Sequence, residues 1–516
     1  MTLSIFSRAR IAERRHESDG GGAAAVAAPH LAQSGRYVLQ PGLEVRSDDR
    51  GGVLLCLKPL LALRLNRQAT ALLTALRQPR GIAELASRPE IDLSPKSIAA
   101  FLDDLLRRRL VLWQPPVPTI WPTVSIIVPA RGRAEATRRC VQSLLALDYP
   151  PDRREILVVD DASDPPLAPV LADLPIAVLR QERNIGQSAA RNLAATVATG
   201  PILAFTDNDC VVEPGWLRHL VPYLNDPRIA IVGGRVAARA SEGAVAAFEA
   251  ARSPLDMGAT ATEVTPTAAV SYLPTCNLLV KRDALLARGG FDPALRVGED
   301  VDFIWRALDA GSRAWYVPDG RIAHDHRARW GEWLRRRADY GASEAMLQRR
   351  HPVGRRLMPL PVVGLLALLA LALAPWLGAW GAWPVALAAV LFGLELDEKR
   401  RKLRSLAIAL PFRRIAAALG REHAAAFYHL SANMTRYYSL PLLGVGLVWP
   451  GLSPALALLL AVAPLTDFQR LRPGLSRPVF VGLYWLELAA YQAGVWRGCW
   501  RWRTLRPLSP RCFLRR

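Results

Sequence analysis

The sequence predicts an α/β chain in three parts: a mixed, mostly parallel sheet covered by helices, a small winged-helix-like α+β domain before it, and an apolar helical tail after it. Three observations predict this. The runs Val124-Ser125-Ile126-Ile127-Val128-Pro129 and Glu155-Ile156-Leu157-Val158-Val159-Asp160-Asp161 are short, β-branched and non-alternating, as strands covered on both faces are. Between them, Ala136 to Leu147 carries Val141, Leu144, Leu145 and Leu147 at near-helical spacing, which completes a β-α-β unit. Finally, Leu357 to Leu394 and Tyr437 to Thr466 contain no charged residue.

In chain order, residues 1–34 are rich in Arg, Gly and Ala and lack an apolar run long enough for a secretory signal, so a disordered tail is expected. Residues 35–115 read as the small domain. Tyr37-Val38-Leu39 and Val53 to Leu57 are strand-like, Arg67 to Arg77, Gly81 to Ala86 and Ser94 to Arg109 are helical, and Leu110 to Trp113 closes the module as a strand. Gln114-Pro115-Pro116-Val117-Pro118 is a natural linker. Residues 116–350 form the main α/β domain and residues 351–516 the helical, membrane-associated region.

The chemistry collects where the parallel strands end, because ligands of such sheets bind beyond their carboxyl ends. Asp207-Asn208-Asp209 follows the apolar run Ile202-Leu203-Ala204-Phe205. Two carboxylates there offer hard oxygen ligands to Mg2+ or Mn2+ and, through the cation, to a diphosphate, although Asp and Asn also cluster in ordinary turns. Asp161 ends the neighbouring strand, with Pro129, Ala130 and Arg131 beside it. In Asn184-Ile185-Gly186-Gln187, Gly186 permits close backbone approach, the following helix presents its N-terminal amides, and Arg191 adds positive charge, a pattern suited to an anion. Arg296 to Arg306 holds an acidic cluster, Glu299 and Asp300, opening an amphipathic segment; acids also favour a first helical turn through its dipole. Thr275-Cys276-Asn277 either lines the acceptor side or is a simple turn.

Taken together, V-S-I-I-V-P, V-V-D-D-A-S, N-I-G-Q-S-A-A-R-N, T-D-N-D and G-E-D-V-D-F-I-W-R, over roughly Thr123 to His326, resemble the family 2 glycosyltransferases of GT-A (Rossmann-like) fold. The resemblance implies that Asp161 contacts the uracil of a UDP-sugar, that Asp207 and Asp209 bind ribose and metal, and that Asp300, next to Glu299, is the catalytic base. Arg306 stands where a basic residue often follows and supports the acidic motif. His324 or His326 would be a third metal ligand, with His324 favoured because it lies nearer the end of its strand. One departure is Pro129-Ala130-Arg131-Gly132-Arg133, where relatives usually carry an aromatic residue and an Asn after the proline.

The front module resembles PqqD-like peptide-recognition domains through L-x-P-G-L-E-V-R-x-D and the helix ending R-R-R-L-V-L. In such domains a leader peptide adds as a strand to an exposed sheet edge. The whole combination resembles the glycosyltransferases of the mycofactocin pathway. That implies UDP-glucose as donor and, as acceptor, a peptide-derived redox cofactor carrying a growing glucose chain.

About 20 apolar residues cross a bilayer as a helix. The first charge-free stretch therefore holds one full span, Leu357 to Leu377, and a shorter helix after Trp383-Pro384. The second is a broken span or a hairpin, and Pro478 to Trp496, with only Glu487 charged, is a candidate third. Lys399 to Lys402, Arg413-Arg414 and the basic C-terminus flank these stretches, which points to a cell-membrane location with the catalytic domain facing the cytoplasm. Arg335-Arg336-Arg337 would lie at the headgroups or on an exposed helix face. The net charge of +21 suits a membrane surface or a phosphorylated substrate. No nucleic-acid partner is expected, since basic runs such as Arg107 to Arg109 are usually solvated faces. Six cysteines without paired spacing point to a reducing compartment. The rivals are an inactive, membrane-attached peptide-binding protein, a polysaccharide or lipid glycosyltransferase, and a nucleotidyltransferase; the last would more usually carry a Lys-containing, Gly-rich loop after the first strand.

Overall fold

The computed structural model describes residues 35–58, 60–239, 242–325, 329–351 and 357–514, so the N-terminal tail 1–34 and His326 lie outside the described residues. The described residues form two compact units that interleave in sequence, divided at 117/118, 384/385 and 425/426, the first and third stretches making one unit and the second and fourth the other.

In the first unit β1 (Arg36–Leu39) pairs antiparallel with β5 (Val111–Gln114), and β2 (Leu43–Asp48), β3 (Gly51–Leu57) and β4 (Leu60–Leu65) form an antiparallel meander. Three helices lie between them in sequence: α1 (Arg67–Ala75), α2 (Ile82–Ala86) and α3 (Pro95–Arg107). Local chemistry sets their starts. The Asn66 side chain accepts from the Ala69 N–H at 2.8 Å, and Ser94 caps α3 with proline in its first turn. Ile98, Phe101, Leu102, Leu105 and Leu106 form one buried face of α3 at helical spacing. Val53 and Leu55 of β3 are buried against Leu396, Leu403, Ile415 and Leu419 from 385–425, a segment that belongs to the tail in sequence. Lys399, from the basic run assigned to a membrane flank, is ion-paired there with Glu422 at 2.7 Å.

The second unit holds a nine-stranded sheet in the order β10-β14-β11-β13-β9-β6-β7-β8, with β12 on β14. The strands are β6 (Val124–Ala130), β7 (Arg154–Asp161), β8 (Ala177–Gln181), β9 (Ile202–Phe205), β10 (Cys210–Val212), β11 (Ile229–Ala238), β12 (Thr262–Val264), β13 (Leu278–Lys281) and β14 (Arg313–His324). β6, β7, β8 and β9 run parallel, as the apolar runs of β6, β7 and β9 predict; β8, Ala-Val-Leu-Arg-Gln, carries no such run. β13 runs against both β9 and β11, and β11 and β14 return to the common direction. Phe205, Leu278, Phe291, Phe303, Ile304 and Tyr316 fill the core beneath one face.

The helices that carry the site are α4 (Ala134–Leu145), α5 (Gln187–Val197), α6 (Ala244–Arg252), α7 (Glu299–Asp309) and α8 (Trp330–Arg350). The tail departs from the sequence expectation in two places and decides between alternatives in a third. Leu357 to Leu377 is not one span: Leu357–Leu360 is strand β15, paired with β16 (Arg511–Leu514), and only Val362–Leu377 is helix, α9. At 1.5 Å per residue those 16 residues reach about 24 Å, short of a hydrocarbon core of about 30 Å. The second stretch takes the hairpin form, with α11 (Phe412–Val448) running through Pro441 to a turn before α12 (Ser453–Leu471); α10 (Trp383–Ser405) precedes them. Pro478 to Trp496 lies in α13 (Arg477–Arg501), which is packed along α8; Gly494 comes so close that an added Cβ would stand 1.9 Å from the Ala338 carbonyl oxygen. Among the described residues two helical segments, Trp380–Ser405 and Pro450–Leu471, are long and apolar enough to cross a membrane.

Arg335-Arg336-Arg337 is likewise no uniform headgroup-facing patch. Arg335 is exposed and Arg336 half-buried, whereas Arg337 is buried and ion-paired with Glu249 and, at 3.0 Å, with Glu487.

Candidate active site

Helix α5 is the hub that joins the separate motifs. It begins at Gly186, whose φ of +84° is the left-handed geometry glycine supplies without strain. There the Ile185 and Gly186 N–H groups donate to the two oxygens of Asp161 at 2.7 and 3.0 Å. The amides expected to receive a ligand anion are therefore held by the chain's own carboxylate. Asn184 and Arg131 stand exposed at the rim, and Pro129 lies half-buried in β6 opposite Val159 of β7.

Gln187, the first residue of α5, donates to Glu299 at 2.7 Å, and one turn on Arg191 donates to Asp207 at 2.6 Å and to Glu299 at 3.1 Å. Arg191 is 1% exposed, so the cation expected to meet a ligand is instead an internal bracket. It ties the loop after β9 to the N-terminus of α7 and brings Asp207 within one guanidinium of the Glu299-Asp300 pair. Burial works against its charge, but Asp207 and Glu299 more than compensate and raise its proton affinity.

Asp300 keeps a face to solvent at the start of α7 and accepts the Val301 N–H at 2.8 Å. Burial and then the neighbouring Glu299 push its pKa up to about 7, against the pull of that hydrogen bond, Arg191 and Arg336. Arg306 does not reach Asp300. It binds Asp302 at 2.9 Å and the carbonyls of Arg288 and Gly290, so its support of the acidic motif runs through the next turn. Burial opposes ionisation of Asp302, but His351, 3.0 Å away, and Arg306 hold its pKa down to about 2.

On the other side of Asp207, Asp209 takes Arg133 at 2.8 Å and lies 3.4 Å from His324 Nε2. β10 pairs with β14 so that Cys210 and His324 are opposite one another, and the donor atoms of Asp209, Cys210 and His324 lie within 4.8 Å of each other. Burial first, and then Asp207, raises the proton affinity of Asp209, while His324 and Arg133 restrain it. Carboxylate oxygens beside an imidazole and a buried thiol form a donor set that fits a divalent cation.

The Thr275-Cys276-Asn277 turn is internal. Asn277 accepts from Trp216 Nε1 at 2.7 Å and donates to the carbonyls of Arg235 and Gly320 at 2.9 Å, stitching β11 to β14. Sequence reasoning missed Arg133, Gln187 and Arg336. Arg133 sits two residues beyond the arginine that was singled out, and its φ of +51° turns it back toward Asp209.

The Glycosyl transferase family 2 model matches residues 125–285. Along nearly the whole chain the sequence is 32% identical to the pre-mycofactocin glycosyltransferase of Mycobacterium tuberculosis, covering 92% of this chain and 97% of that protein. Glycosyltransferase AglE of Haloferax volcanii is 30% identical over 43% of this chain and 73% of its own length. Among solved structures, the mannosyltransferase PcManGT from Pyrobaculum calidifontis, in complex with GDP-Man and Mn2+, covers 69% of this chain and 89% of its own at 21% identity and a TM-score of 0.37. The fold is that of a GT-A glycosyltransferase. The chain belongs to glycosyltransferase family 2 and, within it, to the family of the pre-mycofactocin glycosyltransferase.

Proposed function

We propose that this chain is an inverting, metal-dependent hexosyltransferase that moves glucose from UDP-glucose onto a mycofactocin-type, peptide-derived cofactor and extends it as an oligosaccharide. The observation that carries the reading is the Arg191 bracket, which sets a carboxylate of raised pKa, Asp300, beside the Asp207-Asp209 end of the sheet. A base near neutrality is matched to taking a proton from a hydroxyl at physiological pH.

The step is one in-line displacement. Asp300 takes the acceptor hydroxyl proton, the acceptor oxygen bonds to the anomeric carbon on the face opposite the nucleotide, and the bond from that carbon to the diphosphate breaks with its electron pair leaving on UDP. Asp209 and His324, with the free oxygen of Asp207, would hold the cation, which supplies charge neutralisation for the diphosphate. Asp161, held by two backbone amides, would read the base.

Two further parts of the proposal rest on the flanking regions. The front module takes a peptide as a fourth strand on an edge of its meander; a cavity of about 590 Å³ lined by Asp48, Arg67, Thr70, Arg77 and Arg80 opens beside β2 and α1. The tail holds the enzyme at the membrane with its catalytic face toward the cytoplasm, supported by the exposed Trp376, Trp380, Trp383, Leu394, Leu447 and Trp449.

The test is Asp300→Asn in the full chain, assayed for UDP release with each UDP-sugar in turn and Mn2+. Turnover should fall by about 10²- to 10⁴-fold while UDP binding persists. Near-normal transfer would remove Asp300 from the mechanism, and pyrophosphate release would replace glycosyl transfer with nucleotidyl transfer.

A further inference from the structure

We propose that Arg436 of α11, with Tyr272, forms an acceptor subsite that holds the sugar residue next to the reacting one, an inference that rests on the glycosyl-transfer reading above. The acceptor hydroxyl has to meet Asp300, so the walls beside Asp300 decide what else of the acceptor is held. Trp305 of α7 donates to the Ser271 carbonyl at 2.8 Å, which ties the Ser271-Tyr272 segment to the helix that carries Asp300. The start of α7 also meets α8, since a Cβ built on Gly298 would stand 3.6 Å from the Ser343 side chain.

From Ser343 the contacts lead into the tail. The next residue, Glu344, accepts from the Tyr437 hydroxyl of α11 at 3.0 Å and from the Tyr491 hydroxyl of α13 at 2.7 Å. The Tyr491 ring so fixed lies under the Arg436 guanidinium, whose Cζ is 4.0 Å from the ring centroid. Tyr437 and Tyr491 are buried, whereas Arg436 is exposed and Tyr272 half-buried. The Tyr272 hydroxyl donates to the Pro254 carbonyl at 3.1 Å and lies within electrostatic reach of both Asp300 and Arg436. Tyr272 is therefore the link between the base and the α11 arginine.

The chemistry of Arg436 suits a neutral, hydroxyl-rich ligand. Arg252, close enough to feel its charge, is ion-paired with Glu487 and Asp467. Arg436 forms no carboxylate ion pair of 4.0 Å or less among the described residues, and Glu344 offsets its charge from beyond the shared phenols. No second anion is needed there. What remains is a planar fork of N–H donors backed by a ring, which matches two adjacent hydroxyl oxygens of a sugar. Tyr272 adds a flat apolar face with a polar tip, and aromatic walls with a few placed donors are what small organic ligands bind. The ring that bears the reacting hydroxyl sits against Asp300, so the ring at Arg436 is one already added. The subsite serves extension of the chain more than its first addition.

The experiment uses the full-length protein in detergent with UDP and Mn2+ present, and titrates glucose, maltotriose and cellotriose, which cover α- and β-linked chains. Wild type should bind one trisaccharide more tightly than glucose. Arg436→Ala should weaken that trisaccharide about tenfold, the worth of a hydrogen bond to a charged group, with a smaller change for glucose and none for UDP. In cells, the hexose ladder on the acceptor should shorten relative to the singly glycosylated product. The proposal is overturned by a wild type that binds neither trisaccharide better than glucose, by trisaccharide affinity or ladder length unchanged in Arg436→Ala, or by glucose, trisaccharide and UDP weakened together. Loss of binding to phosphatidylglycerol vesicles with trisaccharide affinity intact also overturns it, and assigns Arg436 to a lipid headgroup. Should the alanine variant fail to fold, Arg436→Lys, which keeps the charge and removes the fork, is read by the same ratio. A wild type that releases UDP, paired with an unaffected Arg436→Ala, sinks this inference alone; a wild type that releases no UDP from any donor sinks the reading beneath it as well.

Discussion

Asp300 and Glu299 are adjacent acids at a helix start, and only their surroundings give them different work. Glu299 is buried and accepts from Gln187 and Arg191, so it serves as structure. Asp300 has a single backbone donor, and burial first and then the like charge of Glu299 raise its proton affinity. A base must be deprotonated to act, so kcat/KM should climb as pH rises through about 7 and level off above it. Glu299→Gln removes the like charge and should move that acid limb to lower pH in a pH–rate profile; an unmoved limb would mean another group is titrating. The types and order of these residues were legible in the sequence, since Asp161, Asp207, Asp209, Glu299 and Asp300 do gather on one rim. Their partners were not. Nothing in the pattern of Arg191 distinguishes a ligand-facing cation from an internal bracket, because that depends on burial, and burial is a property of the packed α5.

At the scale of elements, the parallel block could be read from β-branched, non-alternating runs, while β13 could not, because a short apolar strand carries no mark of its direction. The place of Pro478 to Trp496 is ambiguous in sequence for a related reason: an apolar segment of span length suits a bilayer or another helix equally well. The glycines hold the difference. Gly341 faces the Tyr491 carbonyl oxygen, with an added Cβ only 2.1 Å away, and Gly494 and Gly498 face the carbonyls of Ala338 and Ala342 at 1.9 and 2.4 Å. Backbone meets backbone along this seam, and no rotamer change makes room. Gly494→Val should therefore cost at least the 1–3 kcal/mol typical of overpacking, about the upper end or beyond, and lower Tm in a thermal melt. Because α8 also carries Arg336 and, through His351, the contact to Asp302, the same variant should lose activity at temperatures where it remains folded.

Across the whole molecule, the tail divides into helices that belong to the catalytic unit and apolar surface that nothing among the described residues covers. α13 is bound to the catalytic unit by a buried ionic cluster: Arg337 pairs with Glu249 and Glu487, and Arg252 pairs with Glu487 and, at 3.5 Å, with Asp467 of α12. Such charges stay buried only when each has its partner. In Trp380–Ser405 and Pro450–Leu471, by contrast, Trp380, Trp383, Val385, Val390, Leu394, Leu458 and Leu465 are exposed, a contiguous-in-sequence apolar display far larger than scattered surface residues require. Water is a poor solvent for that surface, and a hydrocarbon layer a good one. The expected outcome is that the full-length protein sediments with membranes and stays in the pellet after an alkaline carbonate wash, which strips proteins held only by charge. Release by carbonate would leave the +21 net charge as the cause of attachment and reassign these helices to an interface with another protein. Retention, combined with protease sensitivity of the catalytic unit in inside-out vesicles and protection in intact cells, would fix the active site on the side where nucleotide sugars are made.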